Sequence, residues 1–307
     1  MTEADRAALR ARLEARLPAR WRTRFAPAPT GHLHLGHAVN AVYVWSIARA
    51  FGGSVILRIE DHDARRAQAV YVESIIADLR WLGLDVDNAA GGMPSPIRQS
   101  DEPRVYEAAL ATLVDAGGVY ACRCSRREIA SKGLGGDGLR YQGTCRTAGV
   151  PPDETPARRL LLPADMTQFD DLRHGPQQLA AARQCGELLL RDRLGQPTYQ
   201  FAVVVDDMRH GIDVVIRGDD LLASTGRQIM LAAQLGRTLP PMFLHHPLVC
   251  HADGTKLSKS RGDVGIRELR QAGLTPGQVL GRAAWLGGLQ DQPEPCDAAR
   301  LHEIWTS

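Results

Sequence analysis

Two spacings of apolar residues alternate along the first hundred positions. Residues 22–26 suit a short strand. From His37 to Phe51, the positions Val39, Val42, Val44, Trp45 and Ile47 predict a buried helix, which Gly52-Gly53 should stop. SVILRI, Ser54 to Ile59, is nearly continuous and rich in β-branched residues, the pattern of an interior strand. The acidic turn EDHD, Glu60 to Asp63, follows it. Val72, Ile75, Ile76, Leu79 and Leu82 then recur at helical spacing up to Gly83. After Pro197 a sheet-like pattern resumes in YQFAVVVDD (199–207) and DVVIRGDDLL (213–222), with a helix expected around Ser224 to Leu235. Strand, turn, helix repeated in this way predicts a parallel, doubly wound sheet. Ligands in such sheets sit beyond the carboxyl ends of strands, so RFAPAPTGHLHLGH (24–37) and EDHD are expected to share one cleft.

Between these blocks the texture changes. Residues 117–195 hold a cysteine cluster, the loop GLGGDG (133–138) and the Pro-rich VPPDETP, and read as an insertion. The expected organisation is an N-terminal extension (1–21), the first half of the catalytic domain (22–116), the inserted subdomain (117–195), the second half (196–262) and a helical tail (263–307). The extension, rich in Ala and Arg but also in acids, reads as helical and loosely held, and it lacks the apolar centre of a secretion signal. With 307 residues, 44% hydrophobic and 23% charged, the composition is that of a soluble globular protein. No window reaches the ~20 apolar residues of a membrane span, so a cytoplasmic monomer with no membrane partner is expected. A net charge of +2 leaves any binding of nucleic acid to local patches.

The 24–37 stretch carries His32, His34 and His37, spaced two and three apart. The zinc-protease helix needs histidines at i and i+4 with a glutamate between them, and neither condition holds. A phosphate site fits better. Gly31 and Gly36 allow a tight turn and close backbone approach, and a helix starting near Leu35 to Ala38 presents free N–H groups and its positive dipole end. A metal site and an incidental polar turn stay as alternatives. Far downstream, TKLSKS (Thr255 to Ser260) places Lys256 and Lys259 on one short loop, which suits a triphosphate whose charge shifts during reaction.

Together HLGH and KLSKS resemble the two signature motifs of class I aminoacyl-tRNA synthetases. RFAPAPTGHLHLGH, VVVDD and IRGDDLL resemble the glutamyl branch, the likeness running from Arg24 to Ser260. The resemblance implies a Rossmann-like (HUP-type) doubly wound parallel sheet. It also implies ATP as a substrate with Mg²⁺, bound by His34, Gly36, His37 and Lys259. His34, His37, Lys256 and Lys259 would be catalytic. L-glutamate would be held by Arg24, Phe25, Ala26, Pro27, Ala28, Glu60, Tyr199 and Arg217. Ala28 stands where the branch commonly has serine, so backbone groups would have to serve there.

Cys122, Cys124 and Cys145 make an incomplete tetrahedral set, and buried free thiols are the alternative reading. The pattern C-x-C…Y-x3-C resembles a structural zinc site of the same branch, with Tyr141 as fourth ligand. Arg123, Arg126, Arg127 and Lys132 nearby can meet phosphates. Fewer than 50 residues follow KLSKS, so no anticodon-binding domain is expected. That combination resembles the glutamyl-queuosine tRNA(Asp) synthetases. They activate glutamate without tRNA and esterify the cyclopentene diol of queuosine at the wobble position of tRNA(Asp). A glutamyl-tRNA synthetase core that charges the 3′ end of tRNA(Glu), and a non-catalytic relative that binds RNA or an amino acid, are the alternatives.

Overall fold

The computed structural model describes residues 1–88, 96–131, 140–249 and 265–306. Lys132, GLGGDG, Cys250, and the KLSKS segment with Lys256 and Lys259 lie outside these residues. The described strands are β1 (Trp21–Phe25), β2 (Gly53–Ile59), β3 (Ile97–Arg98), β4 (Val119–Ala121), β5 (Arg158–Leu160), β6 (Thr167–Asp171), β7 (Gly175–Leu179), β8 (Leu188–Arg191), β9 (Val214–Gly218) and β10 (Met242–His246).

Strands β1, β2 and β3 pair in parallel in that order, and β10 pairs in parallel with β9 on one side and β6 on the other. The N–H of Asp213, just before β9, donates to the carbonyl of Arg22 at 2.9 Å, which ties the two sets at β1 and β9. Chain order reverses there, and a doubly wound sheet opens its binding crevice at such a point. The helix Leu35–Ala50 leaves β1 and is buried along most of its length, against the sheet on one side and against Pro276–Leu286 and Ala298–Trp305 on the other. Gly52, at φ +72, ends its run; Gly53 already belongs to β2, where a Cβ would strike the Trp21 ring. Among the described residues no helix is long and apolar enough to cross a membrane.

Two expectations need correction. YQFAVVVDD is not sheet-like: Tyr199–Arg209 is a helix, with Phe201 to Val205 buried in a second core beside Leu160, Leu188 and Leu231. Its β-branched run argued for a strand, but that preference is worth little against packing on every side. The N-terminal extension is helical, Glu3–Arg16, but not loosely held. Thr2 and Asp5 form a capping box, Leu9 and Leu13 are buried in the main core, Arg6 pairs with Asp291 at 2.9 Å and Arg16 pairs with Asp170. Residues 117–195 divide between two sheets. β4, β5 and β8 form a small antiparallel sheet, while the β6–β7 hairpin joins β10.

Candidate active site

A strand that ends in a buried charge must pair it. β2 carries Arg58, whose side chain is fully buried, within an otherwise apolar run. Its guanidinium donates to Asp207 at 2.8 Å and to Glu60 at 3.1 Å, and lies 3.8 Å from Asp206. Arg24, at the end of β1, donates through Nε to both Asp207 oxygens at 3.1 and 3.3 Å. Two arginines and three carboxylates thus interlock at the carboxyl ends of β1 and β2. Burial pushes the Glu60 carboxyl up, against the pull of Arg58 and Arg24. For Asp207 burial acts the same way, but the two arginines outweigh it and hold the carboxyl down. Arg58 had no place among the sequence candidates. The signal was there: one cation inside a continuous apolar strand.

One cleft is lined by Arg24, Ala26, Glu60, Tyr199 and Arg217 together with His34, Gly36 and His37. The two groups of residues proposed from sequence therefore meet. Phe25 does not line it; its ring is buried 5.4 Å from Trp45 in a T-shaped contact. Pro27 is buried too, and its carbonyl accepts from the N–H of Glu60 at 3.1 Å, which fixes the two loops side by side. Ala28 is exposed and lies off the lining.

His34 is the N-cap of the Leu35–Ala50 helix. Its Nδ1 accepts from the N–H of Gly36 at 3.0 Å, and the Nδ1 of His37 accepts from the N–H of His34 at 3.2 Å. With both Nδ1 atoms accepting, each neutral ring carries its proton on Nε2. Two imidazole rings with centroids 4.0 Å apart therefore stand at a helix N-terminus, where the dipole favours negative charge. Gly36 serves this geometry as well. A Cβ there would lie 2.9 Å from the His34 ring, so the missing side chain makes room for the imidazole. His32 turns away, with Nδ1 2.7 Å from the Ser74 hydroxyl. Val249 lines the cleft, and Gly265 forms a bridge with His34 while Ile266 donates to Leu33 at 2.9 Å. Both flanks of the lysine-bearing segment are thus at the cleft.

Arg217, at the end of β9, is held on several sides. It donates to Gln228 at 2.7 Å, Thr225 at 2.8 Å and His245 Nε2 at 3.0 Å. His246 is buried, accepts from Asn40 at 3.0 Å and stacks on Tyr43; burial holds its imidazole down at about 4, so it is neutral. Asp171, Gln228, His245 and His246 were also absent from the sequence candidates. Each is an ordinary polar residue until the fold brings it to an arginine or a ring 11 to 203 positions away.

The cysteine cluster lies in the small sheet's subdomain. The sulfurs of Cys122, Cys124 and Cys145 all lie within 4.8 Å of one another, with Cys124 and Cys145 3.4 Å apart, a grouping able to hold a metal ion. The Tyr141 hydroxyl is 3.9 Å from the Cys124 sulfur and accepts from the N–H of Cys145 at 2.8 Å. Tetrahedral thiolate sites place sulfurs roughly 3.8 Å apart, between the shortest spacing and the upper limit found in this cluster. Arg159 donates to Cys122 at 3.2 Å and stacks 3.9 Å over the Tyr141 ring, which supplies positive charge beside the thiols.

Residues 20–292 match the family described as tRNA synthetases class I (E and Q), catalytic domain. A glutamyl-Q tRNA(Asp) synthetase of Symbiobacterium thermophilum is 44% identical over 298 residues, covering 92% of this chain and 91% of the relative. A protein of the same name from Nitratidesulfovibrio vulgaris is 42% identical, with 87% and 86% covered. A glutamate–tRNA ligase of that species is 40% identical, but this chain spans only 58% of its length. Among solved structures, a glutamate tRNA ligase of Elizabethkingia meningosepticum in complex with its amino acid superposes with a TM-score of 0.75 at 27% identity, over 92% of this chain and 64% of that one.

Proposed function

This chain belongs to the class I tRNA synthetases of the E and Q kind, and on that footing we propose that it activates L-glutamate with ATP and esterifies the queuosine diol of tRNA(Asp). The observation that carries the first half is the shared cleft, in which Arg24, Glu60, Tyr199 and Arg217 face His34, Gly36 and His37. Glutamate brings two carboxylates and one ammonium. Two arginines answer the carboxylates, Glu60 answers the ammonium and Tyr199 orients a carboxylate. The α-carboxylate is already ionised at neutral pH. It attacks the α-phosphorus of ATP with no general base, so catalysis is positioning and charge stabilisation. The Nε2–H groups of His34 and His37 and the helix N-terminus hold phosphate oxygens on one side. Lys256 and Lys259 would supply further positive charge to the phosphates during the reaction. ATP enters with Mg²⁺, as is usual in class I synthetases. A Lys259→Ala substitution is expected to slow glutamate-dependent ATP–pyrophosphate exchange on the order of 100-fold. An unchanged rate would remove that lysine from the site.

For the acceptor, the names and coverage of the relatives at 44% and 42% identity support queuosine-containing tRNA(Asp). The test is labelling with radioactive glutamate and ATP. Queuosine-bearing tRNA(Asp) should accept label even after its 3′-terminal adenosine is removed. Unmodified tRNA(Asp) and tRNA(Glu) should not. Label at the 3′ end of tRNA(Glu) would instead assign the chain to the other branch of the family.

Zinc held by Cys122, Cys124, Cys145 and Tyr141 would act structurally, fixing the subdomain that meets the tRNA alongside Arg123, Arg126 and Arg127. Cys145→Ser is expected to lower bound zinc well below one equivalent in elemental analysis, while pyrophosphate exchange is retained. Full zinc in that variant would exclude Cys145 as a ligand.

A further inference from the structure

Arg217 is pinned by a buried chain that reaches back to β6. The Asp171 carboxylate is fully buried, and every group pointed at it is a donor. The N–H groups of Arg173 and His174 donate to Oδ1 at 3.0 and 2.9 Å. The N–H of His245 reaches Oδ2 at 3.2 Å, and the His245 ring reaches it through Nδ1 at 2.7 Å. A carboxylate only accepts, so the His245 proton sits on Nδ1. Nε2 is then a lone pair, and Arg217 Nε donates to it at 3.0 Å, with the Thr225 hydroxyl 3.2 Å away. We infer that Asp171 and His245 are positioning residues that fix the Arg217 guanidinium toward the substrate by dictating the His245 tautomer. Burial, with Arg217 adding to it, holds the His245 imidazole down against the pull of Asp171, which keeps the ring neutral.

The inference rests on the assignment of Arg217 to the glutamate pocket. It predicts a specific fault in Asp171→Asn. Both carboxylate oxygens face donors, so an amide NH₂ must oppose an N–H whichever way it turns. Facing His245, it forces the proton to Nε2, directly against Arg217 Nε–H. His245→Ala removes the acceptor outright. His245→Gln can reproduce it, because one amide both donates to Asp171 and accepts from Arg217.

The test is glutamate-dependent ATP–pyrophosphate exchange, read as separate KM values for glutamate and ATP and as kcat, with thermal unfolding measured alongside. Asp171→Asn and His245→Ala should raise KM for glutamate about tenfold, the value of one hydrogen bond to a charged group. KM for ATP and kcat should hold, and His245→Gln should restore most of the loss. A wild-type glutamate KM in His245→Ala overturns the relay. So does a uniform fall in kcat and both affinities, or a Gln variant as poor as Ala. If Arg217→Met itself leaves KM for glutamate unchanged, the pocket assignment fails and takes the relay with it.

Discussion

Arg58→Ala is expected to destabilise the fold by about 3–5 kcal/mol, because it removes one partner of a buried ionic cluster and leaves the others charged. Asp206, Asp207 and Glu60 all approach that guanidinium, and the side chains of Arg58 and Asp206 are both wholly buried. Burial alone would favour the neutral base; the three carboxylates outweigh it and hold Arg58 charged. The melting temperature should drop on the order of 10 °C. The sign of the pH dependence follows from Glu60. Its folded carboxyl is already raised by burial, and losing Arg58 raises it further. A raised carboxyl costs stability as pH rises through its folded pKa and costs less below it. The deficit of the variant against wild type should therefore be smaller near about pH 5 than near about pH 8. Thermal unfolding across that range is the measurement. An Arg58→Ala protein as stable as wild type at neutral pH would show that the cluster contributes nothing.

The second large effect concerns binding rather than stability. Arg217→Met should reduce kcat/KM for glutamate in pyrophosphate exchange by about a thousandfold, since truncating one member of a buried charge pair costs 2–5 kcal/mol. The loss should fall on KM for glutamate, because the role proposed for Arg217 is with the amino acid and not the phosphates. Arg217 donates to Gln228, Thr225 and His245 from a buried position, so methionine fills similar space while removing every donor. Methionine at 217 with an unchanged glutamate KM would falsify the proposed pocket.

What could be read from the sequence was local. Val39 to Ile47, SVILRI and the series Val72 to Leu82 declare their elements because each buries one continuous face or one whole strand. The histidine turn could be placed because its glycine and its helix start are neighbours in sequence. Tyr199–Arg209 misled because valine runs favour strands, yet a second signal was present. Tyr199 and Gln200 stand seven positions before Asp206 and Asp207, so on a helix the two polar pairs share one face. The relay could not be read at all: Asp171 and His245 are 74 positions apart, and only the pairing of β6 with β10 brings them together.

The first twenty residues carry a last consequence. The family match begins at residue 20, and Leu9 and Leu13 lie before it yet are buried in the main core. Each buried leucine is worth about 1.5–3 kcal/mol, so the start of the family match and the edge of the buried core fall at different places. A chain trimmed to its homologous region would keep every group in the cleft and still expose part of the apolar interior on which the helix behind that cleft is seated.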